Sequence, residues 1–422
     1  MGKIFGKQKI ISKKIEVSMS RLIKLILSNP LAIFEIIYYW IKLFFMHTRG
    51  RKLVVFNSHH DYFIDIFNPI HLELKDYRGI DIYYSIDTDD KKMYSALEEK
   101  DLHAKIISNK ISPFIPFDLF ICSEITGPDF PFKLLKTKKL ITYHGNGISG
   151  FHKKIDVIKR FDAHFAIGPK FNQFLESIYP NEKLPRIYNV GYPKLDILLQ
   201  ENKLTKKLKQ LYKIRADKPT ILYAPHWNPF GSLHYFDTKI IDNLVQYDIN
   251  LLIKPHHYLY AQYPEANWEA RLKKYDEKYR NVTLVTRPNT QELYPLADLM
   301  ISDTGTSAPF EFCILQKPLF VFANKEWFEE FPDEDNSEEE AILAASICFE
   351  EFEQFRAMFQ EFIDQSALFL QQLAAQKSRQ KHLIDCLLYN PGQATEKAVA
   401  AILRELDLQP AAKQSEQSRA DN

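Results

Sequence analysis

The 422-residue sequence is poor in cysteine and nearly free of net charge. Its four cysteines, Cys122, Cys313, Cys348 and Cys386, lie far apart and share no CxxC spacing. That pattern supplies neither a disulfide framework nor a zinc ligand set, so reduced, buried thiols in a cytosolic setting are expected. With 55 basic against 54 acidic residues the formal charge is +1, and no global field argues for nucleic acid. Walker A, GxSxG and HExxH segments are all missing. His59, His60 and Asp61 fall together after the first apolar run, but no further ligands follow at a recognisable spacing. No metal and no cofactor are therefore expected. A cleavable signal peptide is not expected either, because the first apolar stretch comes late and no small-residue site follows it.

A long uninterrupted apolar run is also lacking. The nearest approach, residues 22–46, contains Lys24, Asn29, Pro30, Glu35 and Lys42. Its clean piece falls short of the roughly 20 residues that a spanning helix needs. On a helix beginning near Leu31, Glu35, Tyr38, Tyr39 and Lys42 form one stripe, with Leu31, Ile33, Phe34, Ile37, Ile41, Phe44 and Phe45 around most of the rest. With a basic flank before residue 53, this suits a helix lying in the membrane surface. A helix packed on the protein's own core is the alternative.

What is present is an enzyme-like composition, 45% hydrophobic, 26% charged and 14% aromatic. From Arg51 onward, short apolar runs alternate with helix-length stretches: 53–56, 81–86, 104–107, 119–123 and 140–145, then 162–169 and 186–196. The charged, helical segment 197–218 interrupts the pattern. It restarts at 220–225, 249–256, 282–286, 299–305 and 318–323, and the chain from there to about residue 389 reads as acidic and then helical. Continuous apolar runs separated by helices are buried parallel strands of an α/β fold. The expected division is a basic amphipathic region over 1–50, one Rossmann-like domain over 51–200 and a second over 201–408. The polar tail 409–422 is expected to be disordered.

Several segments place chemistry at strand ends. In 299–312 an apolar strand ends at Ser302-Asp303, hydroxyl residues and a glycine follow (Thr304, Gly305, Thr306, Ser307), and a helix begins near Ala308. Such a turn offers backbone N–H groups and hydroxyls to an anion, and Glu311, one turn inside, could accept hydrogen bonds from a ribose. Capping alone would account for Thr306 or Ser307. In 141–154, His144 closes a strand and Gly145 begins a glycine-rich loop, a placement suited to a general base. In 251–260, Lys254, Pro255, His256 and His257 follow another strand, with one histidine expected to face the cleft. In 221–229, Pro225 and His226 follow a strand, with Trp227 next.

In order and spacing, these segments resemble the CDP-glycerol glycerophosphotransferase family of teichoic-acid and related capsule synthesis, over about residues 50–400. The pieces are His144-Gly145, GYPKLD at 191–196, ILYAP at 221–225, KPH at 254–256, Glu292-Leu293-Tyr294, and Ser302-Asp303 through Ser307. His226-Trp227-Asn228, HGNGISG and Thr-Gly-Thr-Ser depart from the family's usual residues. The resemblance implies a GT-B fold, two Rossmann-like domains facing a cleft, acting at the cytoplasmic face of the membrane. It implies a CDP-linked alditol donor, a lipid-linked or saccharide acceptor, and catalytic His144 and His256. Thr304, Thr306 and Ser307 would then hold the donor pyrophosphate. A GT-B glycosyltransferase using a CMP- or UDP-sugar is the rival expectation.

Overall fold

The computed structural model describes residues 22–409 apart from 101, 103, 125–136, 144–154, 180–182, 200–202, 257, 287–289 and 331–336. The first set of strands is β1 (Lys52–Asn57), β2 (Ile80–Ile86), β3 (Lys105–Ser108), β4 (Leu119–Cys122), β5 (Lys138–Ile141), β6 (Ala163–Ala166) and β7 (Arg186–Asn189). The second is β8 (Thr220–Ala224), β9 (Asn250–Ile253), β10 (Val282–Leu284), β11 (Leu299–Asp303), β12 (Leu319–Phe322) and β13 (Ile347–Phe349). They form two sheets, ordered β3-β2-β1-β4-β5-β6-β7 and β10-β9-β8-β11-β12-β13. Every pairing is parallel. The α/β expectation of two doubly wound halves is thus met.

The central strands β2, β8, β9 and β11 are buried along their whole length, which is why they read as unbroken apolar runs rather than alternating ones. In each sheet the strand order reverses beside the first strand, between β1 and β4 and between β8 and β11. Those two reversals open crevices at the strands' carboxyl ends, where ligands of such sheets bind.

One buried cluster joins the two halves, taking Val55, Tyr83 and Phe120 from the first sheet and Leu222, Met300 and Val321 from the second. The long helix Ala367–Leu387 carries the chain back toward the first half, where Tyr389 N–H donates to Ile167 O at 2.8 Å. The terminal helix Ala394–Glu405 then buries Ala398, Val399 and Ile402 with Val54, Phe56 and Ile82. Glu405, only 3% exposed, receives Arg186 through Nε at 2.5 Å and Nη2 at 2.7 Å. The division by sequence groups this helix with the second domain, whereas its apolar face packs on the first sheet. Contacts between residues so distant leave no local pattern in the sequence.

A second difference is β13, which falls inside the segment read as helical. It is a three-residue strand that completes the edge of the second sheet. A run so short shows no periodicity of its own and is defined by its pairing with β12.

Near the N-terminus, the helices Leu22–Ser28 and Ala32–Thr48 meet at a bend of 119°. The second buries a narrow stripe, Ala32, Ile36, Leu43 and Met46. Trp40 Nε1 donates to Phe114 O at 3.0 Å, and the Lys42 ammonium lies 5.3 Å from the centre of the Tyr83 ring. The helix is therefore packed on the first half. Its remaining surface leaves Leu31, Phe34, Ile37, Ile41, Phe44 and Phe45 about half exposed or more. Among the described residues, no single helix is long and apolar enough to cross a membrane.

Candidate active site

The second sheet's reversal brings together the ends of β8, β9 and β11, and with them most of the described residues singled out from the sequence. Pro225 and His226 continue β8, and His256 lies just past β9, its N–H donating to Pro225 O at 3.3 Å. The His226 and His256 rings are 5.9 Å apart. Trp227 packs beside both, at 5.6 Å and 6.4 Å, and Tyr258 meets Trp227 edge-on at 5.8 Å. The crevice wall is thus an aromatic and imidazole cluster. His144 and Gly145, just beyond β5, lie outside the described residues, as does His257.

Two imidazoles of the cluster differ in electrostatics. Burial pushes the His226 pKa down to about 4, against an opposing hydrogen-bond interaction with the Asn228 side chain, so this ring is neutral at physiological pH. His256 is oriented by its own loop, because Tyr258 N–H donates to His256 Nδ1 at 3.2 Å. With Nδ1 accepting, the neutral ring carries its proton on Nε2. His256 is then a hydrogen-bond donor toward whatever its Nε2 meets. Lys254 is buried, its Nζ donating to Pro255 O at 3.2 Å, and burial pulls its pKa down to about 8. It supports the loop from within.

The turn after β11 divides into an inner and an outer part. Ser302, Asp303 and Thr304 are almost fully buried. Ser302 Oγ donates to Ala224 O and Thr304 Oγ1 to Phe322 O, each at 2.8 Å. Asp303 Oδ2 accepts the His226 N–H at 2.7 Å. Burial raises the Asp303 pKa to about 6, with Ser232 and the His226 amide pulling the other way. The expectation that Thr304 offers its hydroxyl to a pyrophosphate is corrected here, since that hydroxyl is turned to the neighbouring strand. Ser302 and Asp303 likewise fix the turn and the His226 loop rather than face the crevice, because a strand buried on both faces directs its polar side chains into the protein. The outward groups are Gly305, Thr306 and Ser307. Gly305 has φ +83°, and a Cβ there would come within 2.4 Å of Trp327 Nε1, so glycine is required on both counts. The helix Ala308–Cys313 follows as expected, but it is six residues long.

Glu311, only 1% exposed, reaches across the two halves. Lys194 Nζ, from the GYPKLD segment, is 2.6 Å from Glu311 Oε1. On the other oxygen, Gln291 Nε2 donates at 2.7 Å and the Tyr294 hydroxyl at 3.1 Å. Burial acts to lower the Lys194 pKa, but the Glu311 carboxylate and Tyr192 outweigh it and hold it raised. A ribose-accepting role for Glu311 therefore requires this pair to open. Nearby, Lys100 joins Asp65 at 2.8 Å and Glu292 at 2.6 Å, again linking the halves. The cavity between these pairs is lined by Asp65, Asn68, Lys100, Lys194, Gln291 and Glu292 among others, and by neither His256 nor the 305–307 turn. Lys100 escaped the sequence reading, because a lysine in a charged stretch looks like solvated surface, and Lys194 reads only as part of GYPKLD, with no partner assigned. Among the described residues, no three His, Cys, Asp or Glu side chains are grouped to hold a metal ion.

Comparison with known proteins bears on this geometry. The wall teichoic acid polymerase TagF superposes with a TM-score of 0.63, at 16% identity over 84% of this chain and 89% of that one. A variant of the same polymerase reaches a TM-score of 0.66 over 94% and 98%, at 15% identity. A UDP-GlcNAc 2-epimerase from Neisseria meningitidis, bound to UDP-GlcNAc, gives 0.55 at 15% identity over 84% and 100%. These likenesses establish the GT-B arrangement of the two sheets. No curated protein matches in sequence. The sequence does match a family over residues 39–329, more than half its length, and the chain belongs to that family, CDP-Glycerol:Poly(glycerophosphate) glycerophosphotransferase.

Proposed function

We propose that the chain moves glycerol phosphate, or a related alditol phosphate, from a CDP-activated donor to an acceptor hydroxyl in the synthesis of a teichoic-acid or capsule-like polymer. Family membership supplies the transferase class and the CDP-glycerol donor. The observation that carries the rest is the carboxyl end of the second sheet, where His256, past β9, and the 305–307 turn, past β11, flank the end of β8 on either side. The structures of the solved relative include a histidine variant soaked with CDPG and a second histidine variant.

In the reaction, the acceptor hydroxyl attacks the β-phosphorus of the donor. The bond from that phosphorus to the bridging oxygen breaks, CMP leaves, and a phosphodiester forms. Such chemistry is mostly positioning and charge stabilisation, so no covalent nucleophile is required. His256, with its proton on Nε2, suits stabilising charge on the transferring phosphoryl. That leaves His144 as the general base that takes the hydroxyl proton. Thr306, Ser307 and the backbone of their turn hold the pyrophosphate. The acceptor is lipid-linked or saccharide, and the exposed apolar side of the Ala32–Thr48 helix holds the enzyme at the cytoplasmic face of the membrane.

Product analysis tests the assignment. Incubation with CDP-glycerol and an acceptor should release CMP and form new phosphodiester linkages. Sugar transfer from a CMP- or UDP-sugar, with no CMP released from CDP-glycerol, would establish the glycosyltransferase instead. A thermal-shift screen of both donor classes gives the same discrimination. A donor at a hundredfold excess over its Kd stabilises the protein by about 2.7 kcal/mol.

A further inference from the structure

The Gly305 amide, in the turn read as the donor site, is already engaged from within the chain. Glu339, in the helix Ser337–Ala344, turns its carboxylate inward, and Oε1 accepts the Gly305 N–H at 2.9 Å. Gly305 is the first residue of the turn that is not fully buried, and a backbone N–H at this position is what a donor phosphate oxygen would require. We propose that the Glu339 carboxylate stands in for a donor phosphate, so that CDP-glycerol binds only as Glu339 leaves the Gly305 amide. This rests on the reading of 305–307 as the donor turn.

Three features favour a displaceable anion over a permanent brace. First, the bond joins a backbone amide to a side chain with rotatable bonds, and it is a single hydrogen bond rather than part of the strand pairing. Second, the turn is held by other means: Thr304 is bonded to Phe322 O through both N–H and Oγ1, and Trp327 packs over Gly305. Third, the carboxylate is poorly stabilised where it sits. Burial is the largest influence and pushes its pKa up to about 7, the Gly305 amide pulls it down, and the Glu338 charge raises it further. A phosphate group carries the same charge and accepts the same N–H. Glu339 therefore competes with the donor for one hydrogen bond and also repels it by charge, which sets donor affinity at the turn without entering the chemistry.

Titration calorimetry with CDP-glycerol on the full chain tests this, comparing wild type with Glu339→Ala, Glu339→Gln, Glu338→Gln and Thr306→Val. Removing a competitor that holds the amide nine-tenths of the time tightens Kd by about tenfold. The expected order is Glu339→Ala tightest, Glu339→Gln intermediate because its amide oxygen still accepts, and Glu338→Gln close to wild type. A brace would give the reverse, with weaker binding in Glu339→Ala and rescue in Glu339→Gln, and that result overturns the proposal. Equal tightening in Glu338→Gln and Glu339→Gln would mean a diffuse field and overturns it too. If Thr306→Val weakens binding while Glu339→Ala does not tighten it, the proposal alone falls. If neither variant changes Kd, the donor-turn reading falls with it.

Discussion

Lys194 Nζ sits 2.6 Å from Glu311 Oε1, and the two residues come from opposite halves of the molecule. Lys194 follows the crossover that leaves β7, and Glu311 lies in the short helix after β11. The short helix after β11 and the first half are therefore tied by a buried charge pair. Taking two charges out of water gains little by itself, but removing one partner strands the other. Lys194→Met should lower stability by about 3–5 kcal/mol. Replacing both, as in Lys194→Met with Glu311→Leu, should recover much of that loss. Thermal denaturation of the two single variants and the double variant measures the coupling, and additive losses would show that the pair acts as two independent residues.

The histidines give the second prediction. Replacing His144 or His256 with alanine should each reduce turnover by about 10²–10⁴-fold. Their pH profiles should differ. On the proposed roles, loss of His256 as a donor should scale the rate without removing a limb of the profile, whereas loss of His144 as the base should remove the acidic limb. Steady-state rates from pH 5.5 to 9 check this. Full activity in both variants would remove the two histidines from the mechanism.

Asp303 gives the third. Its folded pKa is raised to about 6 by burial, above the usual carboxylate value, so the folded state binds the proton more tightly than the unfolded one. The sign follows: stability contributed by this group is largest below about pH 4, and is lost as pH rises to about 6. Asp303→Asn keeps an oxygen for the His226 N–H while removing the buried charge. The variant's stability relative to wild type should therefore improve between pH 4 and 6, then level off. The full span is about 3 kcal/mol at most. Paired melting curves at pH 4.5 and 7.5 check it, and an unchanged difference between the two would refute the shift.

The parts legible in the sequence are those governed by local chemistry. The runs at 53–56, 81–86 and 220–225 are strands because continuous apolar β-formers suit a sheet covered on both faces. The turn at 302–308 was visible because a strand, a run of hydroxyl residues with a glycine, and a helix start follow one another. What escaped is set by long-range pairing. Thr304 reads as an exposed hydroxyl until β12 supplies Phe322 O as its acceptor. Lys194 reads only as part of GYPKLD until Glu311 arrives from more than a hundred residues away. The terminal helix looks like part of the second half until Glu405 meets Arg186. Glu339 belongs to an acidic run that reads as solvated, and only the folded chain places its carboxylate against Gly305.

The N-terminal helix closes the set, because its two sides make separable predictions. Ala32, Ile36, Leu43 and Met46 are buried against the first half, so deleting the helix would confound membrane binding with stability. Phe34, Ile41 and Phe45 lie on the opposite side, 67%, 52% and 56% exposed, and face solvent together at i, i+7 and i+11. Such a row beside a basic N-terminal segment suits insertion among anionic headgroups, where binding follows buried apolar area plus charge attraction. Changing all three to glutamate removes both contributions and leaves the buried stripe intact. Co-sedimentation with vesicles rich in anionic lipid should fall by about tenfold or more in the triple variant, at an unchanged melting temperature. Wild-type binding should also weaken as salt rises, since the attraction to the headgroups is screened. Undiminished sedimentation of the triple variant would show that this face does not meet the membrane.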